Sequence, residues 1–245
     1  PLWMGETGEN VNEWYSALYP LALSLGIGYN LWPWKKMECT NSPCSICRPK
    51  EYQVLLDYFK EGIKPAQEKA QEILDEYLEN IKIENCVEHP EVTCYVYRRL
   101  PFSIRATDFD ECPGRGKSFS GTGTENPEIS YRRGCGMKIV ELRGIQEKQF
   151  VFDCQWDRFG LVLKEGEFAC YSLDEQKDME VEITLASGYS GGTFSLGRGQ
   201  EEEIVSVSSE QRKVKVHIGA GSGALTARML EGEICLERLG FREMF

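Results

Sequence analysis

The sequence predicts an α/β segment followed by an all-β, antiparallel sandwich of the jelly-roll kind. In the first part, apolar residues recur at helical spacing between short apolar strands. From Pro101 onward, short runs of alternating apolar and polar residues are separated by turns rich in glycine and serine. We therefore expect two domains, at residues 1–98 and 101–245.

The first domain has the order strand, helix, strand, helix, helix, which is typical of repeated βα units. The strands are LWM, just before Gly5, and IGYNLW, which precedes a polar, Cys-rich loop. Asn10 or Asn12 can cap the first helix, and Gly26 closes it. Pro49 and Pro65 each mark the start of a further helix. Pro20 is expected to kink the first helix or restart it.

The second domain consists of short strands. The segments are FSIRATDF, MKIVEL, KQFVFD, FGLVL, FACYSL, MEVEITLA, GTFSLG, EEIVSVS, VKVHI, ALTARML and EICLERLGF. Strands this short, separated by turns such as SGYSGG and GAGSG, predict two packed sheets. GAGSG has no following Lys-Ser or Lys-Thr, so we interpret it as a hairpin turn and not as a phosphate loop. His217 alternates with apolar residues and is expected to be structural.

Charge and hydropathy exclude two classes of partner. The formal net charge is −11 and the basic residues are scattered, so a nucleic-acid backbone is not an expected partner. The longest apolar run, residues 17–27, is interrupted by Pro20 and Gly26 and is too short to span a bilayer. We therefore expect neither nucleic acid nor membrane as a partner.

The ten cysteines leave two interpretations open, disulfides in an oxidising compartment or free, buried thiols. Cys39, Cys44 and Cys47 lie in CTNSPCSIC and could supply three zinc ligands. An orderly fourth ligand is absent, because Cys86 and His89 lie far downstream. We predict no metal and no cofactor.

Glu6 is the first candidate for chemistry. It follows an apolar strand, lies between Gly5 and Gly8, and precedes a helix; active sites of βα-repeat proteins are built at such strand ends. The alternative is that the carboxylate only favours the positive end of the helix. Trp32 and Trp34, after the next strand, could stack on a sugar ring or pack in the core.

These two stretches, PLWMGETGEN and GIGYNLWPWKK, resemble the last two strand ends of glycoside hydrolase family 5, the retaining β-glycanase barrels. The resemblance implies a partial (β/α) barrel end comprising the last two βα units, with Glu6 as nucleophile. It further implies that Trp32, with Trp34 as the alternative, floors the subsite that holds the reacting sugar. It covers roughly residues 1–95 and implies that an N-terminal barrel segment is missing.

The acid/base partner of Glu6 is also missing. Retaining glycosidases need two carboxyl groups about 5 Å apart. The family supplies the second from an Asn-Glu-Pro motif, whereas the Asn-Glu pair here, Asn12-Glu13, is followed by Trp14. The chain alone is therefore expected to be inactive.

The second domain resembles carbohydrate-binding module family 6. PFSIRATDFD is similar to its opening strand, with Thr107 in place of the usual Glu, and KEGEFACYSL is similar to its Gly-Glu-Trp strand, with Phe168 in place of Trp. The two aromatics that hold sugar in the family have no counterparts here. Trp156 and Phe159 could substitute for them, or the sandwich could be purely structural.

Three functions stay open on these grounds. The chain is the C-terminal part of a β-glycanase with an accessory sandwich, a glycan-binding protein with an inactive barrel remnant, or a structural protein. The expected partner is a polysaccharide or oligosaccharide. An extracellular location is favoured for a polysaccharide-degrading enzyme, with a cytoplasmic one as the alternative.

Overall fold

The computed structural model describes residues 1–110, 119–120, 136–147, 155–173 and 175–244. Within this part of the chain, a small α/β segment is followed by a large β-sheet assembly. The large antiparallel sheet is consistent with the predicted β-sandwich, whereas the division into two domains stays a prediction. No helix among the described residues has the length and hydrophobicity that crossing a bilayer requires. The predicted strand KQFVFD lies outside the described residues.

The N-terminal segment begins with one strand–helix–strand unit. Strand β1 (Trp3–Thr7) and strand β2 (Gly28–Leu31) pair in parallel, and helix α1 (Asn12–Ser24) connects them. Pro20 lies inside α1 without ending it. The predicted side-chain cap is not formed, because the N-cap residue is Val11 and the Asn10 Oδ1 atom accepts the Val11 N–H at 2.9 Å. Two parallel strands agree with repeated βα units, while a barrel stays a prediction.

A three-stranded sheet follows where the sequence predicted a polar loop. Strands β3 (Lys35–Met37) and β4 (Cys44–Ile46) are parallel, and β5 (Val87–Glu88) pairs with β4 in the antiparallel sense. Strands of two or three residues are too short to show an alternating pattern, so they could not be predicted from periodicity.

Three more helices belong to this segment. They are α2 (Gln53–Glu61), α3 (Gln67–Asn80) and α4 (Pro90–Tyr97). Helix α2 ends at Gly62, whose left-handed φ of 73° is typical of a helix C-cap. Of the residues of α2 and α3, only Ile73 is buried. Helix α4, which was not predicted, packs against α1 through Tyr15, Tyr19, Val92 and Val96.

The second domain is a two-layered antiparallel sandwich. Its strands are β6 (Phe102–Arg105), β7 (Phe119–Ser120), β8 (Lys138–Glu141), β9 (Phe159–Lys164), β10 (Phe168–Tyr171), β11 (Met179–Leu185), β12 (Gly191–Arg198), β13 (Glu201–Ser208), β14 (Lys213–Ile218) and β15 (Leu225–Glu243). One layer has the order β13-β12-β15-β10-β7. In the other, β14 pairs with β11 and β11 with β15, while β6 and β9 pair along the other edge of β15.

Strand β15 belongs to both layers. Residues 225–233 pair with β12, and residues 236–243 pair with β11. The sequence predicted two strands here, ALTARML and EICLERLGF, because Glu231, Gly232 and Glu233 interrupt the apolar pattern. Gly232 has a φ of 93°, so the chain bends there without breaking the ladder. The core between the layers includes Phe194 and Leu196 from β12 and Val181 and Ile183 from β11.

Buried Arg98 joins the two predicted domains. Its side chain is 2% exposed and lies at the end of α4. The Nε atom donates to the Ser16 carbonyl of α1 at 2.7 Å, and Nη1 donates to the Ser172 carbonyl that follows β10. The Asp110 carboxylate lies 4.0 Å away. The N-terminal segment is therefore in contact with the sandwich, although the boundary near residue 100 stays a prediction.

Candidate functional site

Glu6 and Trp32 lie at the carboxyl ends of neighbouring parallel strands, Glu6 within its strand and not after it as predicted. Glu6 lies near the carboxyl end of β1, and Trp32 comes directly after β2. The two strand ends are tied together, because the Trp32 N–H donates to the Thr7 carbonyl at 2.5 Å. The residues that the sequence analysis selected on separate strands therefore lie at one edge of the same two-stranded sheet.

The side chain of Glu6 points away from helix α1. Thr7 Oγ1 lies 2.8 Å from the Tyr19 hydroxyl of α1, so Thr7 faces the helix. The register shifts between Met4 and Thr7, so Gly5 and Glu6 together lie opposite Asn30 of β2 in a β-bulge. Glu6 and Asn30 are both exposed, on the side away from Tyr19. The sheet thus has one face covered by α1 and one open face that carries the carboxylate.

Gly8 allows the two strand ends to approach each other. Its φ is 132°, and a Cβ atom at this position would lie 1.9 Å from the Trp32 carbonyl oxygen. A side chain is therefore excluded by both backbone conformation and space. Gly5, the other glycine beside Glu6, has no such constraint, since its Cβ would lie 3.4 Å from the Trp3 ring.

Both candidate tryptophans are on the surface, Trp32 at 44% and Trp34 at 49% exposure. The Lys36 ammonium lies 5.6 Å from the centre of the Trp32 ring, a cation–π distance. Lys36 also forms an ion pair with Glu9, which raises the pKa of the lysine. Neither indole is part of the core, which leaves both rings accessible.

Buried tyrosines support this edge from the α1 side. Tyr19 stacks on Tyr29 of β2 with ring centres 4.4 Å apart. The Tyr15 hydroxyl donates to the Asn41 carbonyl at 2.6 Å and accepts the Asn10 N–H at 3.1 Å. Burial raises the pKa of Tyr15 to about 12, so its hydroxyl stays protonated and serves as a structural donor.

A second candidate site lies where α1 meets the sandwich. Trp156 begins a short 3-10 helix, Trp156–Arg158, directly before β9, and is partly buried against the core. A cleft of about 100 Å³ runs beside it, lined by Val11 and Glu13 of the N-terminal segment and by Arg105 and Gln155 of the sandwich. The cleft therefore combines an aromatic side chain with several polar groups.

Arg105 fixes the geometry of this cleft. Its Nε donates to the Asp108 carboxylate at 2.7 Å in a buried ion pair, and Nη2 donates to the Glu13 carbonyl at 3.2 Å. The guanidinium lies 5.6 Å from the centre of the Trp156 ring. Glu13 is held in turn by Arg238, whose Nη1 donates to Oε1 at 2.6 Å. No local pattern in the sequence points to this cleft, because Glu13 lies 92 residues from Arg105 and 225 residues from Arg238.

Phe159, the second aromatic proposed for the sandwich, lies in the core at 4% exposure. The guanidinium of Arg158 covers its ring, 4.6 Å from the ring centre. The Phe159 ring is therefore not accessible to a sugar. Trp156 is thus the more accessible of the two candidates.

The cysteines and histidines do not form a metal centre in the described part of the chain, where no group of three or more His, Cys, Asp or Glu side chains could hold an ion. Cys44 is buried, and burial raises the pKa of its thiol, whereas Cys47 is exposed; both are free thiols. His89 Nε2 lies 3.0 Å from Ser45 Oγ. His217 is exposed on β14, 3.9 Å from Asp178.

Comparison with known proteins gives structural likenesses only. No protein-family model matches the chain, and no curated protein matches it. A GH115 4-O-methyl-α-glucuronidase with specificity for decorated arabinogalactans is similar at 14% identity and a TM-score of 0.34, covering 44% of this chain and 16% of that one.

Two carbohydrate-binding modules of family 6 are similar as well. One, from Bacillus halodurans, binds β-1,3-glucan; it is 14% identical with a TM-score of 0.37, covering 58% of this chain and 95% of the module. The other, from Clostridium stercorarium, is in complex with cellobiose; it is 13% identical with a TM-score of 0.38, covering 58% and 93%. Likenesses at this level assign no family, and none of the three is a family 5 glycosidase.

Proposed function

We propose that the chain is the C-terminal portion of a retaining β-glycanase. In this proposal Glu6 is the nucleophile and Trp32 floors the subsite of the reacting sugar, with Trp34 as the alternative. The observation that carries the proposal is that Glu6 and Trp32 lie at the carboxyl ends of adjacent parallel strands and are both exposed. A carboxylate and an aromatic ring at neighbouring strand ends are what a glycosidase needs to hold and attack one sugar residue.

The chemistry requires a second carboxyl group. The nucleophile attacks the anomeric carbon, and an acid must protonate the departing oxygen before the same group, as base, activates water. The sequence has no Asn-Glu-Pro motif to supply that acid. The chain alone therefore does not hydrolyse glycans, and an upstream barrel segment supplies the acid/base in the intact protein.

The intact protein, encoded with the upstream sequence, provides the test. Replacing Glu6 with glycine should lower hydrolysis of aryl β-glucosides by on the order of 10⁴-fold, because carboxylates of a catalytic pair act as a unit. Azide should then restore turnover by attacking the anomeric carbon in place of the carboxylate, which releases the aryl alcohol and leaves an α-glycosyl azide.

Glu9→Gln is the matched control, since Glu9 lies beyond the same strand end but is paired with Lys36. It should leave hydrolysis nearly unchanged. An active Glu6→Gly protein, or an open reading frame with no Asn-Glu-Pro upstream of Pro1, would overturn the assignment of Glu6.

For the sandwich, we propose that Trp156 contacts glycan in the cleft beside α1. The supporting observation is that the Trp156 ring shares this cleft with Glu13, Arg105 and Gln155, a combination of one aromatic and several polar groups that suits sugars. Val11 and Glu13, which line the cleft, lie at the start of α1, the helix that follows β1 in the chain.

Native gels containing soluble glucan or xylan test this second role on the chain itself. Retardation that is lost in Trp156→Ala and kept in Trp34→Ala would support the cleft at Trp156. Equal mobility with and without each glycan would instead support a purely structural sandwich.

A further inference from the structure

A second pocket lies inside one end of the sandwich. It has a volume of about 310 Å³ and is formed where the turn between β12 and β13 meets the loop between β14 and β15. Arg198, Glu201, Glu203 and His217 line it together with the backbone of Gly219–Ser222. The volume is at the lower end of the range, roughly 300–1,000 Å³, that holds small molecules.

Three charged residues on one face of the β12–β13 ladder line this pocket. Leu196 is opposite Glu203 and Arg198 is opposite Glu201. Leu196 and Arg198 are buried on β12, whereas Glu201 and Glu203 are exposed on β13. The buried position of Arg198 calls for an apolar side chain, and local departures of this kind are expected at functional sites.

Glu202 shows that the arrangement is specific to one face. It lies between the two glutamates that line the pocket and is opposite Gly197. Alternation directs its carboxylate to the other face of the strand. Glu202 therefore has the same charge and lies on the same strand as Glu201 and Glu203, but it faces away from the pocket.

The guanidinium of Arg198 is buried and forms no ion pair with the described part of the chain. The residue is 6% exposed. Its Nη1 donates to the Gly221 carbonyl at 2.7 Å, and Nη2 lies 3.6 Å from the Met179 sulfur. Within the described residues, Nε has no hydrogen-bond partner. Burial lowers the pKa of Arg198, opposed in part by Glu175. A buried cation in this condition is stabilised by any acceptor that enters the pocket.

We propose that this pocket binds a single sugar residue by its hydroxyl groups, with Arg198 as donor and Glu201 and Glu203 as acceptors. A hydroxyl group both donates and accepts hydrogen bonds, so a neutral polyol can bind the arginine and the glutamates at the same time. An anion would be repelled by the glutamates and a cation by Arg198. The described lining residues include no Phe, Tyr or Trp, so the sugar is held by hydrogen bonds and not by stacking on such a ring.

The site is separate from those of the proposed function. It shares no lining residue with the cleft at Trp156 and none with the strand ends at Glu6. It extends the proposed glycan role of the sandwich, and its test does not depend on Trp156. Binding here should persist in Trp156→Ala even if that variant loses all retardation by polysaccharide.

Saturation-transfer NMR on the full chain, with the methyl glycosides of glucose, xylose, galactose and mannose at millimolar concentration, tests the proposal. We expect at least one of them to bind. Glu203→Gln should weaken binding at least tenfold, since a hydrogen bond to a charged group is lost, while Glu202→Gln should leave it unchanged.

Arg198→Met keeps the length of the side chain and removes the charge. It should abolish binding while the urea midpoint of unfolding stays the same or rises, which distinguishes loss of the site from loss of the fold. Three results would overturn the proposal: no methyl glycoside binds, Glu202→Gln and Glu203→Gln weaken binding equally, or inorganic phosphate and glucuronate bind through Arg198 in preference to the neutral sugars.

Discussion

Replacing Arg98 with alanine is expected to loosen the attachment of the N-terminal segment to the sandwich. The guanidinium holds the Ser16 carbonyl on one side and the Ser172 carbonyl on the other, and Asp110 lies 4.0 Å away. All of these contacts are lost in Arg98→Ala. The left-handed backbone at residue 98, with a φ of 47°, does not contribute to the difference, because both residues carry a Cβ atom.

The magnitude follows from the number of contacts. Hydrogen bonds from a charged group contribute about 1.5–3 kcal/mol each, and removing one side of a buried charged network costs about 3–5 kcal/mol. We expect the free energy of unfolding to fall by about 3–5 kcal/mol, a large part of the roughly 5–15 kcal/mol that stabilises a typical protein. With a urea m-value of about 3 kcal/mol/M, the midpoint falls by about 1–1.7 M.

Urea unfolding followed by tryptophan fluorescence and far-UV circular dichroism measures this. Arg99→Ala is the matched control, because Arg99 is exposed and lies 5.2 Å from the centre of the Tyr97 ring, a contact worth about 0.5–1 kcal/mol. Equal midpoints for the two variants would refute the conclusion that Arg98 couples the segment to the sandwich.

Three further predictions concern other parts of the chain. Gly8→Ala should lower the urea midpoint and increase the exposure of Trp32 to acrylamide, since the new Cβ meets the Trp32 carbonyl, whereas Gly5→Ala should do neither. Asp108→Asn should destabilise the fold by about 3 kcal/mol in calorimetry by leaving Arg105 without its carboxylate, and a change below 1 kcal/mol would contradict this. Burial raises the pKa of Cys235 from 9.0 to about 12, so the folded state holds this proton more tightly than the unfolded state; the stability it contributes is complete below pH 9 and is lost between pH 9 and 12. The free energy of unfolding of the wild type should therefore fall more steeply over that interval than that of Cys235→Ala. In the native protein at pH 8, iodoacetamide should modify the exposed Cys47 before the buried Cys235, as mass spectrometry would show.

The sequence predicted the parts of the fold whose patterns are regular and long. Strand β11 alternates buried and partly buried residues over all seven positions, and β1, α1 and β2 follow the order that βα units require. The sheet β3–β5 was missed because its strands are too short to carry a period. Strand β15 was divided in two because Gly232 and its flanking glutamates resemble a turn, while pairing with both layers keeps the strand continuous.

The candidate sites differ in the same way. Glu6 and Trp32 could be predicted from the sequence because each lies at the end of a recognisable strand. The parallel pairing of the two strands then brings these ends together. The cleft at Trp156 depends on Arg105 and Glu13, which are 92 residues apart in the chain. Pairings over that distance leave no local pattern. The pocket-lining glutamates of β13 could have been noticed in the sequence, because Glu201 and Glu203 occupy the positions that Val205 and Val207 continue as apolar residues.

The buried arginines separate contacts that hold the fold from a site that awaits a ligand. Arg98 has two backbone carbonyls and a nearby carboxylate, and Arg105 has Asp108 and the Glu13 carbonyl, so the cost of burying each charge is offset within the protein. Arg198 has one carbonyl and a sulfur atom, with a pocket between it and the glutamates across the ladder. Removing the charge should therefore have opposite effects: destabilisation at Arg98 and Arg105, and unchanged or greater stability at Arg198. The cost of burying the Arg198 charge is not offset by the described residues, so an acceptor that binds in the pocket gains that free energy. For this reason we assign Arg198 to a binding site, and Arg98 and Arg105 to the contact between the N-terminal segment and the sandwich.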